Sequence, residues 1–363
     1  MLDKKKLNSY ANLLIDFSLE IKKGDKVGIY GNIESSPLIE QLYIELLKRG
    51  AHPFPHISLN NQQDIFYAYC QDSHLTYLPE ITLFEAKNID ALINISCSVN
   101  TKSLSAVDPA KQALFRKTRK PISEIVLKKN RWVLALYPTE AYAQDAEMSL
   151  SDFEDFVVDA VKINCSNPVR EWKKVWEYQE KVIKRLKGAD SVHITGNNTD
   201  LKFSVKNRKF INSSGYFNMP SGEVYTGPVE NSVNGNICFE FPACLSGIEV
   251  SGISLEFKDG KVIKASAEKN QDFLIKMLDI DKGARYLGEF AFGLNYTIQR
   301  FIKNILFDEK IGGTIHLAVG NAYPETGAKN KSALHWDMIK DLRKEGEVKI
   351  NGSTVFKKGK FIF

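Results

Sequence analysis

The sequence has no apolar run long enough to span a membrane, and it has few of the residues that mark secreted or disulfide-bonded proteins. The first ten residues, M-L-D-K-K-K-L-N-S-Y, contain no apolar segment typical of a secretory signal. The five cysteines are widely spaced and form no C-x-x-C pair. These features predict reduced thiols, no membrane partner and a cytoplasmic location.

An excess of charge of one sign is also missing. Lysine and arginine number 49 against 44 aspartates and glutamates, which gives a net charge of only +5 over 363 residues. The positive residues are scattered and are not interleaved with aromatics, so nucleic acid is not a predicted partner. The segment G-I-Y-G-N-I at 28–33 is neither G-x-G-x-x-G nor a P-loop, so no nucleotide cofactor is predicted.

The length and the order of patterns predict two domains, because one core rarely serves 363 residues. The first part alternates strands and helices, which is typical of a mainly parallel sheet. From residue 191 the strands are short and turns are frequent, as in a β-rich α+β domain. The segment N-C-S-N-P at 164–168 interrupts the pattern. We therefore predict an N-terminal α/β domain over 1–165 and a β-rich C-terminal domain over 166–363.

The predicted elements of the first part have these bounds: helices over 7–21, 36–49, 109–118 and 151–161, and strands over 26–30, 53–59, 91–96 and 132–137. The helix over 151–161 is expected to open at Ser151 or Asp152. A long amphipathic helix is predicted over 171–187.

Two of only six histidines lie in one short stretch, 315–339. The runs G-T-I-H-L-A-V-G and A-L-H-W-D-M-I alternate and are typical of strands. Side chains two apart point the same way in a strand, so His335 and Asp337 share one face and Trp336 and Met338 the other. An imidazole and a carboxylate on one face suit a transition metal. A His–Asp hydrogen bond at a strand end is the alternative.

Three upstream glutamates have unusual local settings. Glu223 follows Pro220 and Gly222 in a constrained loop, and Glu309 lies at the end of a helix predicted from about residue 297. Glu289 lies in the apolar run L-G-E-F-A-F-G, where a carboxylate is costly to bury unless it is paired, protonated or bound to a cation. Each could instead be a salt-bridge or turn residue. Together with Asp337 and two imidazoles, their number matches a two-metal site.

Several longer sequence motifs resemble those of a known protein family. They are M-P-S-G-E-V-Y, P-V-E-N-S-V-N-G, G-E-F-A-F-G, L-F-D-E-K-I-G-G-T-I-H-L-A-V-G-N-A-Y-P-E-T-G and S-A-L-H-W-D-M. Over about 215–337 the chain resembles the thermophilic-type metallo-aminopeptidases, the family of aminopeptidase T and aminopeptidase S. A weaker similarity reaches the first half, in L-Y-P-T-E-A-Y-A-Q-D-A-E-M-S.

The resemblance implies an α/β N-terminal domain and a homodimer that releases N-terminal residues from peptides. It also implies that the C-terminal domain, residues 166–363, is the catalytic, metal-binding domain. It implies two divalent ions, which could be zinc, cobalt or magnesium. The family's metal ligands fall on Glu223, Glu289, Glu309, His316, His335 and Asp337. Its tyrosine beside the metals falls on Tyr323.

The expected mechanism is attack on the peptide carbonyl by water activated between two metal ions. Glu223 or Glu289 would accept the proton of that water, and Tyr323 would donate a hydrogen bond to the developing oxyanion. Two other interpretations remain open. His316, His335 and Asp337 alone would suit a mononuclear non-haem iron ring-cleaving dioxygenase, which is a distant relative of the same family. The second interpretation is that the protein binds a metal but catalyses no reaction.

Overall fold

A computed structural model describes residues 2–363, and the chain divides into two units. The first takes the residues up to Trp172 together with Gly215–Pro220, and the second takes Lys173–Ser214 and Ser221–Phe363. The predicted fold class is confirmed, because the first unit is α/β around a parallel sheet and the second is a β-rich α+β unit. The assignment of the catalytic domain to residues 166–363 stays a prediction.

The strands, numbered in chain order, are β1 (Lys26–Asn32), β2 (His52–Ser58), β3 (Ala91–Ser96), β4 (Trp132–Leu136), β5 (Ser191–Gly196), β6 (Thr199–Ser204), β7 (Ile211–Ser213), β8 (Asn218–Met219), β9 (Glu223–Thr226), β10 (Asn234–Cys238), β11 (Ala243–Leu245), β12 (Ile248–Val250), β13 (Ser254–Lys258), β14 (Lys261–Ser266), β15 (Leu287–Gly293), β16 (Thr314–Gly320), β17 (His335–Asp341), β18 (Glu347–Ile350), β19 (Ser353–Lys357) and β20 (Lys360–Phe361).

The helices are α1 (Lys4–Leu13), α2 (Ser36–Lys48), α3 (Gln62–Tyr69), α4 (Asp72–Thr76), α5 (Glu80–Asn88), α6 (Pro109–Lys129), α7 (Glu140–Asp145), α8 (Leu150–Ala160), α9 (Pro168–Arg185), α10 (Gln271–Leu278) and α11 (Ile305–Asp308). Within residues 2–363, none of them is long and apolar enough to cross a lipid bilayer.

The first unit is organised around a sheet with the order β2-β1-β3-β4-β8, in which every neighbouring pair is parallel. Its central strands are apolar, and Val27, Ile29 and Ile93 are fully buried. A parallel sheet is buried on both faces, which explains these near-continuous apolar runs. The predicted mainly parallel sheet is confirmed, while its fifth strand, β8, was not predicted.

Several helices of this unit differ from their predicted bounds, among them the first helix, α6 and α8. The first helix ends at Leu13 and continues only as a wider π turn over Leu14–Ser18. Helix α6 runs through Pro121 and stops where Asn130 adopts the left-handed conformation that ends helices. Helix α8 begins one residue before the predicted start, because Ser149 Oγ accepts the N–H of Asp152 and caps it.

The second unit contains two larger sheets, both antiparallel. One has the order β14-β13-β10-β6-β5-β18-β19-β20, and the other has the order β17-β16-β15-β9-β7. Buried apolar side chains from both sheets, among them Ile194, Leu201, Phe290 and Leu317, form one core. Burial of one face of each sheet leaves the second face of the five-stranded sheet available for polar side chains.

One predicted helix of the second unit is wrong. The helix expected from residue 297 is absent, and only the four residues of α11 are helical before Glu309. Lys303 adopts a left-handed conformation with φ of 60°, which interrupts a right-handed helix. The carboxylate of Asp308 accepts the N–H of Ile302 at 2.8 Å, so a side chain takes a bond that a helix would need.

Candidate metal centre

Three neighbouring strands of the five-stranded sheet carry site residues on one face. Glu289 on β15 lies opposite Ala318 on β16, which in turn lies opposite Asp337 on β17. His316 lies two residues before Ala318 and opposite Ala291. Because alanine side chains are small, they leave space on this face for the carboxylates and the imidazole to approach one another.

The other face of the same strands is apolar. It carries the buried side chains Phe290, Phe292, Leu317, Val319, Trp336 and Met338, all of which belong to the core. The predicted alternation along β16 and β17 is therefore confirmed. Burial of this face fixes the register, since a shift of one residue would exchange the polar and apolar faces.

His335 is oriented by the turn that follows β16. Gly320 has φ of 100°, and a Cβ atom there would lie 2.2 Å from the carbonyl oxygen of Leu334, so only glycine fits. The next residue, Asn321, accepts a hydrogen bond from His335 Nδ1 at 2.8 Å when that nitrogen carries the proton. Nε2 is then the unprotonated nitrogen with a free electron pair. This is the usual arrangement in a histidine that binds a metal.

Glu223 opens β9 opposite Gly293 and is 6% exposed. The preceding residue, Gly222, has φ of 123°, and a Cβ atom there would lie 2.8 Å from Asn295 Cβ. Its carbonyl accepts the N–H of Leu294 at 2.7 Å. The glycine therefore lets the chain pass close to its neighbour before it turns Glu223 inward.

The structure brings the six predicted ligands together in two groups of three. Within each group, the ligand atoms lie within 4.8 Å of one another, and the groups are Glu223–Glu309–His316 and Glu289–His335–Asp337. Each group contains one imidazole and two carboxylates.

Glu289 lies between the two imidazoles. Its Oε1 is 3.6 Å from His316 Nε2, and its Oε2 is 3.3 Å from His335 Nε2. His316 Nε2 is also 3.5 Å from Glu223 Oε2, and His335 Nε2 is 3.6 Å from Asp337 Oδ2. Two ligands that share one zinc ion in tetrahedral geometry lie roughly 3.4 Å apart, so this spacing suits common coordination.

Buried polar atoms without a hydrogen-bond partner concentrate at this site. Among the residues that the structure describes, they include Glu223 Oε2, both ring nitrogens of His316 and Asp337 Oδ1. A buried polar atom is normally hydrogen-bonded, so such a cluster calls for a missing partner. Oxygen and imidazole donors of this kind fit a divalent cation.

The pKa values of Glu289 and the two histidines are strongly shifted. Burial alone would raise the pKa of Glu289, but His316 and His335 lower it to about 2. Burial would lower the pKa of both imidazoles. Glu289, with Glu223, raises that of His316 to about 9, and Asp337, with Glu289, raises that of His335 to about 10. Protons on the two imidazoles therefore balance the negative charge of these carboxylates until a metal cation displaces those protons.

The other carboxyl groups are crowded. Burial raises the pKa of Asp337 to about 6, although the nearby imidazole of His335 opposes the shift. Burial, aided by the charge of Glu223, also raises the pKa of Glu309, although Lys310 opposes it. Asp337 and Glu309 therefore resist ionisation, and positive charge placed near them would favour their ionised forms.

Tyr323 lies beside this site in the loop after β16. Its ring centroid is 5.0 Å from that of His335 and 5.4 Å from that of Tyr225. It keeps 38% of its surface exposed. Partial burial and the charges of Glu289 and Asp337 raise its pKa well above the usual value, so its hydroxyl keeps its proton.

Two residues that the sequence analysis missed support the ligands. Lys310 is fully buried and forms ion pairs with Glu223 and Glu309. Gln179 on α9 is also fully buried, and its Nε2 donates to the carbonyl oxygens of Ser213 and Glu223. The only local signal for Lys310 was its position next to a predicted ligand, and Gln179 had none.

We expect Gln179→Leu to lower the free energy of unfolding by about 1–3 kcal/mol, because the Glu223 carbonyl would lose a buried donor. Urea denaturation measures this change. Gln63→Leu is the control, since Gln63 is exposed on α3 and should change stability by less than about 0.5 kcal/mol. Equal effects of the two substitutions would contradict a role for Gln179 in fixing the strand that carries Glu223.

Comparisons with known proteins agree with the geometry. Aminopeptidase 2 of Geobacillus stearothermophilus is 26% identical over 410 aligned residues, which cover 99% of this chain and 98% of that protein. Aminopeptidase T of Thermus aquaticus is 26% identical over 355 residues, which cover 88% and 85%. The solved structure of wild-type AmpT from Thermus thermophilus has 22% identity and a TM-score of 0.88, with coverage of 99% of this chain and 100% of that one, so the two share a fold.

The family comparison covers nearly the whole chain. A family model described as thermophilic metalloprotease (M29) matches residues 3–361. This match confirms the predicted resemblance, and with the named relatives it confirms the predicted class of enzyme, a metallo-aminopeptidase. The chain belongs to the thermophilic metalloprotease (M29) family.

Proposed function

We propose that this enzyme uses two divalent cations to hydrolyse the bond after the first residue of a peptide. The observation that carries this proposal is the pair of ligand groups, each with one imidazole and two carboxylates. Glu289 lies between them with one oxygen toward each imidazole. A single cation would leave one of the two ligand groups without a metal ion.

In this proposal Glu223, Glu309 and His316 would hold one cation, while His335 and Asp337 would hold the other. Glu289 would contribute to both, because one of its oxygens lies near the imidazole of each group. The ions would be zinc, cobalt or magnesium. When bound, they would lower the pKa of a water molecule and polarise the scissile carbonyl.

Glu223 is the better candidate for the residue that accepts a proton from water. Glu223 Oε2 lies 3.5 Å from His316 Nε2 without a hydrogen bond, and Glu223 belongs to one ligand group only, whereas the two oxygens of Glu289 lie near the imidazoles of both groups. A general base must have an accessible lone pair close to the proton that it removes. Glu289 is therefore assigned mainly to holding the ions.

Tyr323 would stabilise the oxyanion that develops on the carbonyl. Its protonated hydroxyl can donate a hydrogen bond, and its ring packs against His335. A donor aimed at developing charge acts on the transition state more than on the ground state. The free α-amino group of the peptide would bind at the carboxylate-rich site, which would restrict cleavage to the N-terminal residue.

The geometry favours a two-metal aminopeptidase over a ring-cleaving dioxygenase. That enzyme would need His316, His335 and Asp337 around one iron ion, yet His316 groups with Glu223 and Glu309 instead. Glu289 also lies between the two imidazoles. Glu223, Glu289 and Glu309 would then have no chemical role.

The proposal predicts two divalent ions per chain and an absolute need for a free α-amine. Equilibrium dialysis of the metal-free enzyme gives the stoichiometry. Aminoacyl nitroanilides measure activity, and their N-acetylated forms are the matched control, which should not be cleaved. Saturation at one ion, or cleavage of the acetylated substrates, would refute the proposal. Iron as the sole metal with oxygen uptake would favour the dioxygenase.

A homodimer and a cytoplasmic location complete the proposal. All five cysteines are free, which agrees with a reducing compartment. Sedimentation velocity of the purified enzyme tests the dimer, and a sedimentation coefficient of a monomer at micromolar concentration would contradict it. Subcellular fractionation tests the location.

A further inference from the structure

Lys310 lies immediately after the ligand Glu309 and is fully buried. Its backbone is held at both ends, because its N–H donates to Phe307 and its carbonyl accepts from Asn295, each at 3.0 Å. A buried ammonium group is costly unless its charge is paired. The lysine therefore has a fixed position and must find its partners inside the site.

Its partners are two ligands of the same metal group. Lys310 Nζ is 3.1 Å from Glu223 Oε1 and is also paired with Glu309 Oε1. One oxygen of each carboxylate is thus used by the protein, and Glu223 Oε2 remains without a hydrogen-bond partner. In the other group, Glu289 and Asp337 face imidazoles, which become neutral when they bind a metal.

This difference makes the two groups unequal. The positive charge of Lys310 beside Glu223 and Glu309 repels any cation that these carboxylates hold, and the repulsion is stronger in a buried site than in water. The lysine also competes with that cation for carboxylate oxygens. The group of Glu289, His335 and Asp337 has no such competitor among the contacts described for it.

We propose that the ammonium group of Lys310 weakens metal binding at the Glu223–Glu309–His316 group, so that the enzyme binds its two metal ions in a fixed order. The Glu289–His335–Asp337 group fills first and keeps its ion. The group beside Lys310 fills second and exchanges its ion, so the supply of free divalent metal would regulate activity. This inference rests on the proposed two-metal site and adds the order of loading to it.

The test is a calorimetric titration of the metal-free enzyme with cobalt. The wild type should show two affinities. In Lys310→Met the weaker affinity should tighten by about tenfold or more, while the tighter one should change by less than about threefold. Lys310→Arg keeps the charge and should keep the two affinities apart. The visible spectrum of the second cobalt equivalent provides a readout that does not depend on activity.

Lys340→Met is the matched control. Lys340 is also fully buried and pairs with Glu240, but it lies on the opposite face of β17 from Asp337. Its removal should leave both metal affinities unchanged. Asp337→Asn assigns the sites, since it should weaken the tighter affinity. Lys310→Gln, which is neutral but still a hydrogen-bond donor, replaces the methionine variant if that variant does not fold.

The outcomes separate this inference from the proposed function. Fewer than two ions in the wild type would refute the two-metal proposal itself. Two ions with equal affinities in the wild type would refute only the role of Lys310. The same holds if Lys310→Met weakens both sites, or if Lys340→Met shifts the weaker affinity as much.

Discussion

Glu289→Gln is expected to abolish the binding of both metal ions and to lower kcat/KM by about 10⁴-fold or more. Glutamine keeps the size of the side chain but loses its charge and one acceptor oxygen. Since the two oxygens of Glu289 face His316 and His335, one substitution disturbs both ligand groups. Metal analysis after dialysis and steady-state kinetics on the same sample measure the two effects.

Two further variants make this result specific. Glu309→Gln changes a ligand of one group only, so it should cost one ion rather than two. Glu325→Gln is the control outside the ligand set, because Glu325 is exposed and accepts a hydrogen bond from Tyr225. It should retain both ions. A Glu289→Gln enzyme that retains two ions would show that this carboxylate does not link the groups.

Part of the site could be predicted from local pattern alone. Strand β16 alternates along its length and β17 alternates from His335 to Met338, and the two-residue period places His316, His335 and Asp337 on polar faces. Glu289 stood out because it is a charged residue within an otherwise apolar strand. The local sequence pattern therefore identified which side chains are unusual for their position.

The meeting of these residues could not be predicted from the pattern. The approach of Glu289 to Asp337 depends on the pairing of β15, β16 and β17 in one register, with Ala318 between them. Such pairings are non-local, and only the resemblance to a known family supplied them. The same limit applies to β8, since a two-residue strand carries no periodic signal.

Supporting residues were hardest to predict. Lys310 looks like an ordinary surface lysine in the sequence, but it is buried in the turn after α11, where its Nζ pairs with Glu223. The helix predicted from residue 297 was wrong for a related reason. A left-handed Lys303 and the side-chain bond of Asp308 override the local propensity there.

Tyr323→Phe is expected to lower kcat and kcat/KM together by about a hundredfold, with the metal content unchanged. The substitution removes one hydroxyl and keeps the ring that packs against His335 and Tyr225. A loss confined to the transition state leaves substrate binding intact, so KM should change little. Steady-state kinetics on metal-replete enzyme measure the effect.

Tyr225→Phe is the matched control, because it removes a neighbouring hydroxyl that is bonded to Glu325 at 3.0 Å. If the effect comes from packing of the aromatic pair, the two variants should lose similar, small amounts of activity and thermal stability. If only the Tyr323→Phe substitution lowers kcat, the hydroxyl of Tyr323 acts on the reacting carbonyl. A wild-type kcat in the metal-replete Tyr323→Phe enzyme would remove this residue from the mechanism and leave oxyanion stabilisation to the metal ions alone.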